Sequence, residues 1–345
     1  MDTLLFLISD GVINGAIYAL LGLGIVLIYA VTRVINIAHG DFAMLGALTL
    51  VSLEGGRLPP TLGLLLAGGG VWAAMDAWRL RRAPAGALKG LFRLVLVLAA
   101  AALLTWLALR WRLPRIVLIA LAIGLVAGLG VVFHRVAIEP IPGASVLVYI
   151  IVTLGTHMVI QGVALSFWGP EAFAVEPLVR GEVLAGPMTM PFQSLLIVGA
   201  TIALFAALFA CFACTLRGKA LRASSVNRTG AQLCGIGVAR AGRSAFFVAT
   251  GLAAAAGILI APLVGVHYEM GFLVGLKGFV GATLGGLVSY PGAVLGGVVV
   301  GLLESVFSFG MSAYRDALVF LMIVPILILR SLMQRRGGAE AAHDH

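Results

Sequence analysis

The sequence predicts an all-α fold, a polytopic transmembrane helical bundle of about 9–11 spans. Three observations carry this reading. Of the 345 residues, 61% are hydrophobic and 11% charged, and the mean hydropathy is +1.11, so charge is too scarce to cover a globular surface. Apolar runs of roughly 20 residues recur, each about long enough to cross ~30 Å of hydrocarbon as a helix. These runs do not alternate residue by residue as barrel strands do. Only helices and closed barrels satisfy their backbone in lipid, so helices remain.

In chain order the candidate spans are 4–30, 41–53, 61–78, 91–109, 115–133, 145–168, 192–216, 244–264, 271–289, 292–310 and 313–330. The first is expected to stay in the mature chain. It begins with Asp2, has no basic leader and shows no clear cleavage site. Lysine and arginine set the orientation. Arg79, Arg81, Arg82, Lys89 and Arg93 share one loop, Arg217 to Arg243 another, and Arg330, Arg335 and Arg336 follow the last span. The 169–191 loop is acidic instead, with Glu171, Glu176 and Glu182 against Arg180. By the positive-inside pattern the basic loops and the C-terminus lie in the cytoplasm, and 169–191 and the N-terminus outside. Arg110, Arg112 and Arg115 then fall outside, against the rule. Either they snorkel, or the 91–133 pair is drawn wrongly. The tail 337–345 is expected to be disordered.

The net charge of +9 invites a nucleic-acid reading, but the positive residues sit in short loops between spans, where they fix topology. Cys211 and Cys214 form a C-x-x-C inside an apolar helix with no second Cys or His pair nearby, so they read as small buried hydrophobes. No metal ion and no cofactor is expected. There is no G-x4-G-K-[ST]. Gly271 to Lys277 has the wrong spacing and no hydroxyl after the lysine. If ATP drives this protein, another chain binds it. Near 280–300 the sequence echoes itself, Gly281-Ala-Thr-Leu-Gly-Gly286 and Gly292-Ala-Val-Leu-Gly-Gly297, which favours close helix packing over a broken helix.

Polar residues within spans are costly and mark candidate sites. Asn36, His39 and Asp41 surround Gly40. This pattern suits a turn and a helix N-terminus better than continuous helix. They are expected to form an elbow between the first two spans, held by local hydrogen bonds, with direct substrate contact as the alternative. Asn14, Thr153, His157 and Gln161 are further path candidates, the last two on one helix face. Arg315 and Asp316 are expected at the outer interface.

The stretch from Arg222 to Gly257 is polar and basic at its start and turns at Leu233-Cys-Gly-Ile236, with arginines on both sides. Together with Asn14-Gly-Ala-Ile-Tyr-Ala-Leu20, Ile35-Asn-Ile-Ala-His-Gly-Asp41, Thr153-Leu-Gly-Thr156, Gly275-Leu-Lys-Gly-Phe279 and Tyr314-Arg-Asp-Ala-Leu-Val-Phe320, it resembles the permease subunits of branched-chain amino-acid ABC importers, the LivH-like family. The resemblance runs nearly end to end, and the order and spacing of its motifs are specific. It implies an ABC importer permease fold, a second permease subunit (same or related), two cytoplasmic ATPase subunits and an extracytoplasmic binding protein, in a bacterial inner membrane. It implies ATP-driven alternating access and no enzymatic activity in this chain. The segment 217–243 becomes the coupling loop, with Asn227, Ala231, Leu233, Gly235, Ile236 and Arg240 at the ATPase. Branched-chain amino acids are the implied cargo, and urea or short amides are open alternatives. A non-transporting scaffold and an ATP-independent secondary transporter are readings of another class. Two departures stand out. Residues 59–112 read as an inserted helical pair, and the coupling stretch Arg217–Arg243 has no acid where the family usually carries one.

Overall fold

The computed structural model describes residues 2–80, 84–185, 188–310 and 314–321, together with positions 325 and 328; side chains of 79–89 and 184–188 are outside the description. The tail 337–345 and the arginines after position 328 also lie outside it. The chain is helical nearly throughout. In order it forms α1 (Asp2–Thr32), α2 (His39–Glu54), α3 (Pro60–Leu80), α4 (Pro84–Arg110), α5 (Arg115–Phe133), α6 (Val146–Trp168), a hairpin of β1 (Glu182–Ala185) and β2 (Met188–Pro191), α7 (Phe192–Cys214), α8 (Leu216–Val226), α9 (Arg228–Leu233), α10 (Val238–Val264), α11 (Met270–Gly285) and α12 (Tyr290–Gly310). Among the described residues, seven helices are long and apolar enough to cross a membrane. The shorter α2 and α11, and α3 with its Asp76, complete the bundle.

The centre consists of α1, α2, α10, α11 and α12. α1 is buried without interruption from Gly15 to Ile28, and α2 from His39 to Leu50. A helix apolar on every side has no solvent face and belongs inside. Small residues allow the enclosure. A Cβ on Gly257 of α10 would stand 1.9 Å from the carbonyl oxygen of Ala43 on α2, so the two backbones touch there. The glycine echo does the same for α11 and α12. Gly281 lies against Gly297, and Gly285 against Gly292, across a turn at Gly286–Ser289. Outside this centre, α3 and α4 form a hairpin that leans on α5, while α6 and α7 present much apolar side chain outward.

Side-chain ties sort the helix ends onto two faces. On one, Trp168 donates to Ser52 Oγ at 2.8 Å, and Gln193 donates to the Leu259 carbonyl at 2.8 Å. Phe173 and Val266 exchange backbone hydrogen bonds of 2.8 and 2.9 Å. Arg115 pairs with Glu54 at 2.5 Å and donates to the carbonyls of Glu176 and Pro177. Of the three arginines against the charge rule, Arg115 is matched by Glu54, while Arg110 and Arg112 are exposed. On the same face, a 2.6 Å hydrogen bond from Arg180 holds the exposed Glu176 carboxyl below its usual range. The opposite face carries α8, α9 and a π-helical turn, His134–Ile138, that continues α5.

Several boundaries differ from the sequence reading: α4 begins at Pro84, where 91 was expected, and α11 ends at Gly285, where 289 was expected. α2 begins at His39, so His39 and Asp41 lie inside its first turn. α10 begins at Val238, two turns before the expected 244, because Arg240 and Arg243 sit on a helix whose other side is buried. Gly257→Ala is expected to lower the melting temperature of the purified protein, an overpacking cost of about 1–3 kcal/mol. Gly199→Ala on α7, where a Cβ meets nothing within 4 Å, is expected to leave it unchanged.

Candidate functional site

The chain breaks between α1 and α2, with residues 33–36 outside any helix. The local bonds there run through the backbone, from the His39 amide to the Asn36 carbonyl at 3.3 Å and from the Asp41 amide to the Ala38 carbonyl at 3.1 Å, and none is made by the side chains of Asn36, His39 and Asp41. Ala38 is the N-cap of α2 and makes no side-chain cap. Asp41 instead reaches across to α6, where His157 Nδ1 lies 3.0 and 2.8 Å from its two carboxylate oxygens. A carboxylate only accepts, so this nitrogen carries the hydrogen. Both side chains are nearly fully buried, at 2% and 4% exposure, and the His157 ring lies 4.7 Å from that of Phe272 on α11. Thr153, one turn before His157, donates to the Ile35 carbonyl at 3.3 Å. The break is therefore held by α6. An aspartate flanked by apolar helices finds no water, and the nearest complementary group is 116 positions away.

The side chains of Asn36 and His39 have no hydrogen-bond partner among the described residues, although both are buried. The His39 ring fills the space beside Gly24 of α1, where an added Cβ would lie 2.4 Å from Nε2. Of the other path candidates, Gln161 is half-buried and takes no part in the Asp41 pair, and Asn14 donates to Asp10 at 3.3 Å one turn away on α1.

A second polar group joins α1, α11, α12 and the segment after α12. Lys277 donates to Glu304 at 2.7 Å and lies 2.8 Å from Asp316. The Tyr18 hydroxyl donates to the other Glu304 oxygen, and Arg315 stands 3.5 Å from Glu304. Two cations face two anions, so the cluster is neutral. Arg315 and Asp316, at 43% and 36% exposure, form the open edge of this cluster around the buried Lys277–Glu304 pair. Sequence reading missed Lys277 as a member. The available signal was one lysine and one glutamate of opposite sign, alone in neighbouring apolar spans.

On the basic face, α8 and α9 form a compact shelf. Thr215 caps α8 by accepting from Gly218 at 2.9 Å, and Asn227 caps α9 by accepting from Gly230 at 2.9 Å. Asn227 thus serves the fold, filling the position where an acid was expected. Ala231 is buried against this shelf. Gly235 turns the chain with φ of 79°, a conformation glycine adopts without strain, and the Ile236 amide donates back to the Ala231 carbonyl at 2.9 Å. Arg240 is exposed on the first turn of α10. Leu216, Val226 and Leu233 point outward at 85%, 80% and 85% exposure, on a segment too short and polar to enter the membrane. Arg33, at the end of α1, donates to the Ser225 carbonyl at 3.3 Å and ties the shelf to the central helix.

Charged pairs buried inside an apolar bundle are costly, and bare apolar side chains on a polar shelf are unusual, so both features call for a functional explanation. Compared with known proteins, the chain belongs to the family described as the permease component of branched-chain amino acid transport systems, matched over residues 7–327. It is 25% identical over 328 residues to the high-affinity branched-chain amino acid transport system permease protein LivH of Salmonella typhimurium, covering 93% of this chain and 91% of the relative. It is 25% identical over 337 residues to LivH of Escherichia coli, with the same coverage. BraD of Pseudomonas aeruginosa is 26% identical over 331 residues, covering 93% and 92%. No solved structure matches the chain.

Lys277→Met leaves the buried Glu304 carboxylate without its closest cation. It is expected to cost about 3–5 kcal/mol, whereas Lys277→Met with Glu304→Leu costs less, because no lone charge remains. Thermal unfolding of the two variants in detergent checks this. Equal stability of wild type and Lys277→Met would contradict a fixed pair.

Proposed function

We propose that this chain is the membrane-spanning subunit of an ATP-driven importer that moves amino acids, of the branched-chain type, by alternating access. Its partners are a second permease subunit, two ATPase subunits on the face bearing α8 and α9, and a binding protein on the opposite face. The shelf face is then cytoplasmic, and the β1–β2 face and the N-terminus are external. The observation that carries the reading is the set of bare side chains Leu216, Val226 and Leu233 on a basic shelf outside the bundle. Burying each against a partner contributes about 1.5–3 kcal/mol, enough in sum for a specific contact. The shelf lacks acids between Arg217 and Arg243, so the partner groove is expected to be apolar with acidic edges.

The path of force follows the contacts. Closure of the ATPase pair shifts α8 and α9. α8 touches α1 and α10, and Arg33 fastens α1 to it. α1 and α10 meet beside His39: the His39 ring lies against Gly24 of α1, and the Ala249 carbonyl of α10 is close to the same glycine. Motion there loosens α2 from α6, and Asp41 parts from His157. Asn36 and His39, unpartnered in the closed bundle, then gain polar partners from the solute, and Asp41 faces its ammonium group. The hairpin α3–α4, an insertion relative to the family, stays outside this path.

Leu233→Asp and Leu216→Asp are the decisive substitutions. Both sites are exposed, so insertion and stability are expected to be unchanged. Uptake driven by ATP in proteoliposomes is expected to fall at least about tenfold, and co-purification of the ATPase subunits to fall with it, since several kcal/mol of contact is lost. Normal uptake by both variants would exclude docking at this shelf.

A further inference from the structure

A cleft of about 900 Å³ opens between α3, α4 and α5, with Arg243 and Phe247 of α10 at its wall. Its wall is almost wholly apolar along α4 from Leu94 to Ala108 and along α5 from Val117 to Val132. Among the described residues, two charged ones line it, Arg93 and Arg243. Nearby acids are already engaged. Arg135 holds Asp76 at 2.5 Å and Glu139 at 2.7 Å, so Glu139 lies only 4.0 Å from Arg243. The Arg243 guanidinium rests 5.8 Å above Trp72, which lines the cleft. Arg93 is exposed and has no ion pair among the described residues. Two acids against three guanidiniums leave this region positive.

We propose that the cleft is a binding site for an anionic phospholipid of the surrounding bilayer, its acyl chain along α4 and α5 and its phosphate on Arg93 and Arg243. The membrane supplies the ligand at high concentration. The site runs from residue 94 to 108 of α4, roughly 20 Å at helical rise, ample for a chain that occupies half of a ~30 Å hydrocarbon core. The polarity matches as well: apolar wall toward the membrane centre, cations at its edge, where arginines attract acidic lipid headgroups. Gly124 supports a real cavity, since a Cβ there meets nothing within 4 Å. A lipid here would fill the gap between the α3–α4 hairpin and α5, against which the hairpin mainly leans. This inference rests on membrane placement and not on the transport reading.

Trp72 reports on the site. The full chain is placed in nanodiscs of phosphatidylcholine containing rising fractions of dibrominated phosphatidylglycerol or dibrominated phosphatidylcholine. The fluorescence lost in wild type but not in Trp72→Phe is the Trp72 signal. It is expected to be quenched at a mole fraction on the order of tenfold lower by the glycerol lipid. Arg93→Gln with Arg243→Gln is expected to equalise the two lipids, and Gly124→Phe to abolish quenching by either. Equal quenching of wild type by both lipids would mean an unselective annular chain and overturn the proposal. An unquenched Trp72, as when a partner helix fills the cleft, would overturn it too. The wild-type comparison decides the question even if a variant fails to fold.

Discussion

Asp41 on α2 and His157 on α6 meet where neither can reach water, and the arrangement of the helices around them follows from that need. A carboxylate among apolar helices costs several kcal/mol unless it is paired. α6 itself has few other holds on the bundle, presenting Leu147, Ile151, Met158 and Phe167 outward. Ile160 and Ala164 pack into the core, and beside them stand polar attachments: His157 to Asp41, Thr153 to the Ile35 carbonyl, and Trp168 to Ser52. A wall hung on hydrogen bonds can be released and reset at lower cost than one held by interlocked side chains. This is a property suited to a path that must open to alternate sides.

The central helices are built the other way. Gly40 of α2 lies against Gly271 and Gly275 of α11, and Gly257 of α10 against Ala43. Backbones in contact leave no room for sliding, so α1, α2, α10, α11 and α12 move as a block or not at all. The Lys277–Glu304 pair, with the Tyr18 hydroxyl, pins the same block from another side. Force applied at the α8–α9 shelf therefore enters a stiff body through Arg33 and α10, and the compliant contact is the one to α6.

Much of this was legible in the sequence. Apolar run length marked most of the membrane helices, and the repeated glycines foretold the close approach of α11 and α12. Asp41 and His157 were both singled out, because a titratable side chain in a span has to be accounted for. Their pairing was not legible, since hydropathy reports depth and says nothing of which helix is the neighbour. The elbow was accordingly expected to be satisfied locally, although Ala38, at the cap position, has no side-chain oxygen to offer. The start of α10 was placed late because Arg240 and Arg243 look like loop residues until the small residues between them, Ala241 and Gly242, are seen to be buried. Lys277 was weighed only against a phosphate loop. Its true partner, Glu304, lies on the next helix.

The account stands on the coupling between α2 and α6. A double-mutant cycle with Asp41→Asn, His157→Leu and the pair together, read by thermal unfolding of the purified protein, measures it directly. Removing either partner leaves the other buried alone, so the two single losses are expected to overlap, with a coupling of about 1–3 kcal/mol. Strictly additive losses would mean that the two side chains do not depend on each other, and the polar hinge between α2 and α6 would have to be abandoned.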